Sequence, residues 1–246
     1  MFSGNGKIIG EDRNTESKTV TFFCLDASTG KPLWRNKTFG EQWWIGLDAV
    51  AEDRLYLHGY KKPDMPEHKH IIAVDIRTGD VLWKNSECTF LAIQSPYVYG
   101  YKDLFERRSY FRIDDRTGEI LEELTELPES VGENLQYERT DFSFSDAVTE
   151  ADGDVWTAAS AMEEFQSAES IVTEKYTLLN VYSRNTPPVE GLKNTLTIID
   201  SSTNKKVYSD VLNESTPYPV PDSFFMDGKR VYYIKERKTF VALNLP

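Results

Sequence analysis

The chain has 246 residues and a formal net charge of −12, from 28 basic and 40 acidic side chains. A field of this sign repels phosphate backbones, so we expect no nucleic-acid partner. With 39% hydrophobic and 13% aromatic residues, the composition is that of a folded globular protein and excludes a disordered chain.

The N-terminal residues, MFSGNGKIIGEDRN, show no charged region followed by an apolar run. No window of the sequence reaches the ~18 apolar residues of a membrane span. The two cysteines, Cys24 and Cys88, stand far apart and form no CxxC pair, so we expect both to be reduced and buried. These features predict a cytoplasmic protein without a membrane partner, and we expect it to be a monomer.

A repeated motif organises the chain. It appears as CLDASTGKPLW, AVDIRTGDVLW, RIDDRTGEILE and IIDSSTNKKVY, with the marker residues Asp26, Asp75, Asp114 and Asp200. The markers are 49, 39 and 86 residues apart, and the last spacing predicts one degenerate copy hidden inside it. A period of ~40 to 50 residues with strands in each unit is typical of propeller blades.

Each position of the motif has a physical reason. The aspartate follows an apolar strand, and its carboxylate can accept backbone N–H groups two or three residues further on. Glycine, or Asn204 in the fourth copy, then supplies the positive φ of a tight turn. The large aromatic side chain in the next strand can cover a neighbouring sheet. We therefore interpret the motif aspartates as turn residues and not as catalytic groups.

The clearest copy contains four strands in chain order. They are predicted at Trp44–Ala51, Arg54–Lys62, His68–Asp75 and Asp80–Asn85, separated by turn signals. Applied to the whole chain, this pattern predicts an all-β fold, a β-propeller of about five four-stranded blades in a single domain spanning residues 1–246. We expect an irregular insertion around residues 126–194, with a short helix near Ala158–Ala168.

The last repeat stops one strand short. An open ring of blades leaves exposed sheet edges, which pairing of N- and C-terminal strands would remove. The segment KIIGEDRN, residues 7–14, is the expected partner of TFVALNL, residues 239–245.

The run AVDIRTGDVLW resembles the A-x-D-x-x-T-G-x-x-x-W pattern of quinoprotein-type propeller repeats, also described as PQQ-like and related in architecture to WD40 propellers. The chain also resembles an uncharacterised bacterial family that shares WWIGL, PEHKHIIAVD and the TG-x-x-LW element. The resemblance implies the propeller fold. Quinoprotein dehydrogenases hold pyrroloquinoline quinone above a vicinal disulfide, and outer-membrane assembly lipoproteins use the same repeats as scaffolds. Because this chain has no Cys-Cys pair and about half the length of those enzymes, we expect no cofactor.

Three histidines, His58, His68 and His70, lie close together in sequence. A regular hairpin around the loop Pro63–Glu67 would pair Tyr60 with His70 and place all three histidines on one face. Such a group could bind a metal ion.

A carboxylate from the same loop, Asp64 or Glu67, would complete that metal site. The alternatives are an ordinary polar surface cluster and a pH-responsive contact, because no spacing such as HExxH is present.

A second candidate site combines aromatic and cationic side chains. Trp43 and Trp44 begin the innermost strand of their blade, and Arg107 and Arg108 follow a later strand. Adjacent strand residues point to opposite faces, so one tryptophan would pack in the core while the other could line a pocket with the arginines.

The sequence contains no GxSxG, P-loop or GxGxxG motif, so it does not indicate a particular enzyme class. The leading hypothesis is a non-catalytic propeller scaffold that binds a protein or a small ligand. The alternative is an enzyme, such as a metal-assisted hydrolase or lyase, with its site in the central channel.

Overall fold

The computed structural model describes residues 2–4, 6–61, 67–105, 107–133 and 143–245. Across these ranges the chain is built almost entirely from antiparallel β-strands. It divides into two compact units, Met1–Thr140 and Asp141–Pro246. No helix in the described ranges is long and apolar enough to cross a membrane.

The first unit contains three four-stranded sheets. The first sheet is formed by β1 (Phe2–Gly4), β2 (Lys7–Asn14), β3 (Thr19–Asp26) and β4 (Pro32–Lys37). The second sheet is formed by β5 (Ile45–Ala51), β6 (Arg54–Tyr60), β7 (His68–Asp75) and β8 (Val81–Asn85). The third sheet is formed by β9 (Thr89–Gln94), β10 (Tyr97–Asp103), β11 (Arg108–Asp114) and β12 (Ile120–Leu124). The short helix α1 (Glu129–Glu133) follows β12.

The second unit contains two further sheets, and it begins with the short strands β13 (Ser143–Phe144) and β14 (Asp146–Ala147). A 3-10 turn (Glu150–Asp152) and helix α2 (Asp154–Ser160) come next. The fourth sheet joins β14 to β15 (Phe165–Val172), β16 (Tyr176–Arg184), β17 (Leu192–Asp200) and β18 (Lys205–Thr216). The fifth sheet joins β13 to β19 (Phe224–Asp227), β20 (Arg230–Lys235) and β21 (Thr239–Asn244).

These five sheets confirm the predicted all-β propeller class with about five blades. In the first four sheets, strands that follow one another in the chain are also hydrogen-bonded neighbours, which is the up-and-down order of a propeller blade. The fifth sheet keeps this order from β19 to β21 and adds β13 beside β19. In the second sheet, the strand predicted at His68–Asp75 is observed with the same bounds, and those predicted on either side of it begin or end within two residues of β5, β6 and β8.

Three details differ from the sequence-based expectation. Strand β2 pairs with β1 on one side and β3 on the other, so it has no free edge for β21, and the fifth sheet gains its fourth strand from β13. The described part of residues 115–199 holds no additional four-stranded blade. The predicted helix at Ala158–Ala168 lies earlier, at α2, because Ala168 pairs with Val181 in the fourth sheet.

The motif tryptophan of the first sheet contacts the motif turn of the second sheet. Trp34 in β4 donates its Nε1–H to the carbonyl of Ile76 over 2.9 Å. Its ring lies against Gly79, where a Cβ atom would stand 2.9 Å from the ring. We call this contact, a tryptophan ring on the glycine of the next motif together with the Nε1 hydrogen bond, the clasp.

A second clasp joins the second sheet to the third. Trp83 in β8 donates Nε1–H to the carbonyl of Asp115 over 2.8 Å, and its ring packs on Gly118. Asn85 adds a hydrogen bond of 2.9 Å to the Gly118 carbonyl. The aromatic position of the motif therefore connects consecutive blades, as its sequence position predicts.

The motif aspartates close their turns as expected. The Oδ1 atom of Asp26 accepts hydrogen bonds from the backbone N–H and the hydroxyl of both Ser28 and Thr29. Led by the Ser28 hydroxyl, these bonds lower the pKa of Asp26 from 3.8 to about 2. Asp200 has the same environment, with its pKa lowered to about 2 by Ser202 and Thr203.

We predict that Gly79→Ala destabilises the protein more than Gly30→Ala does. Both glycines occupy the same motif position at nearly equal φ, +70° and +68°, so both variants carry the cost of alanine in the left-handed region. Of these two glycines, only Gly79 faces a tryptophan ring. A Cβ on Gly30 would have none of the described atoms within 4 Å. Overpacking should add about 1–3 kcal/mol to the loss in unfolding free energy, measured by urea denaturation. Equal losses would contradict the clasp.

We predict that Ser28→Ala raises the pKa of Asp26 from about 2 toward 3.8, as followed by NMR titration of the carboxyl carbon. Because the folded pKa lies below the unfolded value of ~3.9, the turn stabilises the fold above that pH. This contribution disappears as the pH falls through the folded pKa. Ser202→Ala should shift Asp200 in the same direction and leave Asp26 unchanged.

Candidate functional site

Three neighbouring strands of the second sheet each supply one side chain to a polar cluster. The cluster consists of Asp48 in β5, His58 in β6 and His68 in β7. The three ligand-type atoms all lie within 4.8 Å of one another. We call this group the Asp48–His58–His68 cluster.

Two irregularities in the strand pairing bring these side chains together. The β5–β6 register shifts between Leu47 and Ala49, so Asp48 has no cross-strand partner. The β6–β7 register shifts opposite His58, and His70 adopts a positive φ of 61° in β7. Such bulges redirect individual side chains out of the regular alternation of a strand, and they often occur beside functional sites.

The predicted hairpin register is wrong. Ile72 is opposite Leu57 where the regular hairpin would place His58, and the bulge opposite His58 shifts the pairing by one more residue, so Tyr60 pairs with His68 and not with His70. The His70 ring instead approaches the carbonyl of Ser86, with its Nδ1 atom 3.1 Å away. The structure thus brings together two of the three predicted histidines and adds a carboxylate. Asp64 lies outside the described residues, and Glu67 pairs with Lys61 over 3.0 Å.

One carboxylate oxygen connects the two imidazoles. Asp48 Oδ1 lies 2.9 Å from His58 Nδ1 and 3.1 Å from His68 Nδ1. The two rings are stacked, with centroids 3.4 Å apart and planes within 6° of parallel. An ionised carboxylate can only accept hydrogen bonds, so each Nδ1 carries a proton in this arrangement.

The cluster is buried on one side and open on the other. The side chains of Asp48 and His58 are 7% and 4% exposed, whereas that of His68 is 36% exposed. Burial opposes ionisation of Asp48, but the hydrogen bonds from the two histidines outweigh it and hold its pKa below the ordinary value. Asp48 is therefore a carboxylate at neutral pH.

Two buried atoms of the cluster lack a partner. Among the described residues, Asp48 Oδ2 and His58 Nε2 are enclosed and make no hydrogen bond. An unsatisfied buried polar atom costs about 1–3 kcal/mol, so such atoms usually mark a bound water, an ion or a functional role. Both orphan atoms are electron-pair donors, which is the property of a metal ligand.

Gly46 provides the space beside His58. A Cβ atom at Gly46 would lie 2.9 Å from both Cε1 and Nε2 of the His58 ring, and 3.4 Å from Oε1 of Glu11. Gly46 and His58 are directly opposite each other in β5 and β6. The absence of a side chain at position 46 therefore leaves room for the His58 ring.

Aromatic side chains surround the exposed end of the cluster. The ring of Tyr60 meets those of His58, His68 and Trp44 edge-on, with centroids 4.9, 5.6 and 6.2 Å away. Trp44 also meets Trp43 edge-on at 6.5 Å. The tryptophan pair thus lies directly before β5, and Trp44 contacts the tyrosine that packs on both histidines.

The other members of the predicted aromatic and cationic site have separate contacts. Arg13 and Lys18 lie over the ring of Trp43, at 5.3 and 4.9 Å from its centroid. Arg108 pairs with Asp103 over 2.8 Å and lies over a tyrosine ring, while Arg107 is exposed. A shared ligand for Trp43, Trp44, Arg107 and Arg108 stays a prediction.

The donor set suits a borderline divalent metal. Two imidazole nitrogens and one carboxylate oxygen are typical ligands of Zn²⁺ and of other late first-row ions. Metal–nitrogen bonds of ~2.0–2.1 Å place neighbouring donor atoms of a tetrahedron about 3.3 Å apart. The Nδ1–Oδ1 distances of 2.9 and 3.1 Å are close to that spacing.

The family comparison covers this site. Residues 3–83 match the model of DUF4905, a domain of unknown function. The match spans the first sheet and nearly all of the second, and so includes the Asp48–His58–His68 cluster. No curated protein matches the chain.

Solved structures give distant similarities. BamB from Moraxella catarrhalis is 10% identical with a TM-score of 0.33, over 99% of this chain and 75% of that one. Kuenenia stuttgartiensis hydrazine synthase is 16% identical with a TM-score of 0.30, over 95% of this chain and 60% of that one. The β-propeller domain of Cps50 (Swd1) from Myceliophteria thermophila is 12% identical with a TM-score of 0.29, over 96% and 68%. Because these scores are low, the fold assignment rests on the sheets themselves.

We predict that Gly46→Ala destabilises the protein by about 1–3 kcal/mol and displaces the His58 ring, because the added methyl group overlaps it. Gly59→Ala in the adjacent strand is the control, since a Cβ there meets its nearest atom at 3.5 Å, an ordinary contact. Urea denaturation and the ring signals of His58 in NMR spectra measure the two effects. An undisturbed His58 in Gly46→Ala would contradict the packing.

Proposed function

We propose that this chain is a binding scaffold of propeller-type blades whose ligand is a divalent transition metal ion, with Zn²⁺ as the best fit. Asp48, His58 and His68 are the proposed protein ligands. The observation that carries the proposal is that three strands bring a buried carboxylate and two imidazoles within 4.8 Å of one another, and that Asp48 Oδ2 is buried without a hydrogen-bond partner among the described residues.

The electrostatics support a cation at this position. Asp48 is buried yet ionised, and the lowering of its pKa depends on contact with the two imidazoles. A buried carboxylate is stable only when it is paired or coordinates a metal. A divalent ion would satisfy both carboxylate oxygens and remove the need for two protonated Nδ1 atoms around one acceptor.

The two histidines have different freedom to adjust. The rings are parallel, so their Nδ1 lone pairs would not converge on one ion without a rotation. His58 is enclosed by the sheet, whereas His68 is 36% exposed and begins its strand. We therefore expect His68 to turn toward the metal while His58 stays in place.

The alternative function is a metal-assisted hydrolase or lyase. The exposure of His68 favours it, because three protein ligands with one accessible side resemble a catalytic zinc site that keeps a fourth position for water. A zinc-dependent turnover of model esters that is lost with His68→Ala would support this reading over the scaffold.

The proposal predicts that the purified, metal-free protein binds Zn²⁺ and Co²⁺ at one site. Cobalt should give the visible absorption of a tetrahedral centre. Zinc at 100 times its Kd should raise the free energy of unfolding by about 2.7 kcal/mol, because the metal binds only the folded state.

His68→Ala and His70→Ala form a matched pair for this test. We expect His68→Ala to weaken metal binding at least about 100-fold. Loss of a residue that only positions a metal ligand costs up to about 100-fold in affinity, and His68 is proposed as a ligand itself. His70→Ala should bind as the wild type does, because its ring faces the Ser86 carbonyl. Absence of binding, or equal losses in both variants, would overturn the proposal.

A further inference from the structure

A carboxylate from the first sheet reaches into the Asp48–His58–His68 cluster. Glu11 lies in β2, and its Oε1 atom accepts the backbone N–H of Leu47 in β5 over 2.8 Å. Leu47 directly precedes Asp48. The side chain therefore crosses from one blade to the next and ends beside the buried part of the cluster.

Glu11 Oε1 and His58 Nε2 border the same small space. The missing Cβ of Gly46 would lie 3.4 Å from the oxygen and 2.9 Å from the nitrogen. Without a metal, the single proton of a neutral His58 is on Nδ1, where Asp48 accepts it. Nε2 then presents a lone pair toward an acceptor, which explains why this nitrogen has no hydrogen-bond partner among the described residues.

Metal binding would change this arrangement. A metal ion on Nδ1 displaces the proton from that atom, so the ring proton of a neutral imidazole must be on Nε2. Glu11 Oε1 has a lone pair left after accepting from Leu47 and borders the same space. Histidines that bind metals almost always donate their other ring N–H to a carboxylate, a carbonyl or water, which fixes the tautomer.

The position of the Glu11 carboxylate is itself fixed. Its Oε2 atom accepts from Nε of Arg13 over 2.6 Å. Arg13 also donates to the carbonyl of Trp43 over 3.0 Å and to that of Ile45. Both carbonyls flank the start of β5, so the Glu11–Arg13 pair is anchored to the strand that carries Asp48.

We propose that Glu11 is a positioning residue that accepts the Nε2 proton of His58 and thereby directs the metal to Nδ1. This inference rests on the proposed metal binding. It makes a prediction that metal binding alone does not, namely which imidazole nitrogen of His58 bonds to the ion and which side chain controls that choice.

The test uses the full chain labelled with ¹⁵N-histidine and loaded with ¹¹³Cd²⁺. In the wild type we expect ¹¹³Cd–¹⁵N coupling to His58 Nδ1 and a protonated Nε2. Glu11→Ala should weaken Cd²⁺ binding about 10- to 100-fold and allow coupling to Nε2, because the acceptor for the Nε2 proton is lost.

Glu11→Gln is the conservative variant. Its amide oxygen can accept from both Leu47 and His58, whereas its NH2 group replaces the oxygen that accepts from Arg13. We therefore expect tighter cadmium binding than in Glu11→Ala and coupling to Nδ1 only. A merely structural role of Glu11 would lower stability in Glu11→Ala without changing which nitrogen bonds to cadmium.

The outcomes separate the two proposals. If the wild type binds no metal, the proposed function fails and this inference fails with it. If the wild type binds cadmium through His58 Nε2, or if Glu11→Ala keeps wild-type affinity and Nδ1 coupling, the role of Glu11 alone is overturned.

Discussion

A tryptophan ring packed on a glycine in the next repeat connects the blades of the first unit. The glycine serves two purposes at once, because its positive φ closes the turn and its missing side chain makes room for the ring of Trp34 or Trp83. The Nε1 hydrogen bond then fixes the ring to the backbone of the same turn. In the first two blades, a short motif thus also determines how the next blade packs.

The second sheet is clasped on both sides, by Trp34 from the first sheet and through Trp83 to the third. This sheet also contains the two pairing irregularities and the unpartnered atoms of the Asp48–His58–His68 cluster. A bulge interrupts the hydrogen bonding of a sheet locally, and a buried polar atom without a partner costs free energy. Both irregularities lie in the sheet that a clasp joins to each of its two neighbours. The neighbouring blades therefore hold these strands in place where the sheet's own hydrogen bonding is interrupted.

The parts of the fold that were predictable depend on local chemistry. The Asp-x-x-Thr-Gly turn can be recognised because a carboxylate, two following N–H groups and a residue at positive φ all lie within five positions. The role of β13 in the fifth sheet could not be predicted in this way, because it depends on a strand of two residues that lies far from its partner in sequence.

The histidine cluster was only half predictable for a related reason. Alternation along a strand assumes regular pairing, but Ile72 is opposite Leu57, one residue from the regular register, and the bulge opposite His58 adds a second residue, so Tyr60 is opposite His68. Asp48 did leave a signal, since it is the single charged residue in the strand IGLDAVA. A lone carboxylate among apolar strand residues must find a partner, and the basic side chains of the next two strands are Arg54, His58, His68, Lys69 and His70.

The clasps and the cluster share a dependence on glycine. Gly79 and Gly118 admit a tryptophan from the preceding blade, and Gly46 admits the His58 ring. In each case a residue without a side chain lets a planar ring lie against the backbone. The same construction that joins one blade to the next also leaves, within the second sheet, a space beside His58 Nε2, an atom without a hydrogen-bond partner among the described residues. With a metal ion on Nδ1, the ring proton of His58 would be on Nε2 and could be donated across this space to Glu11.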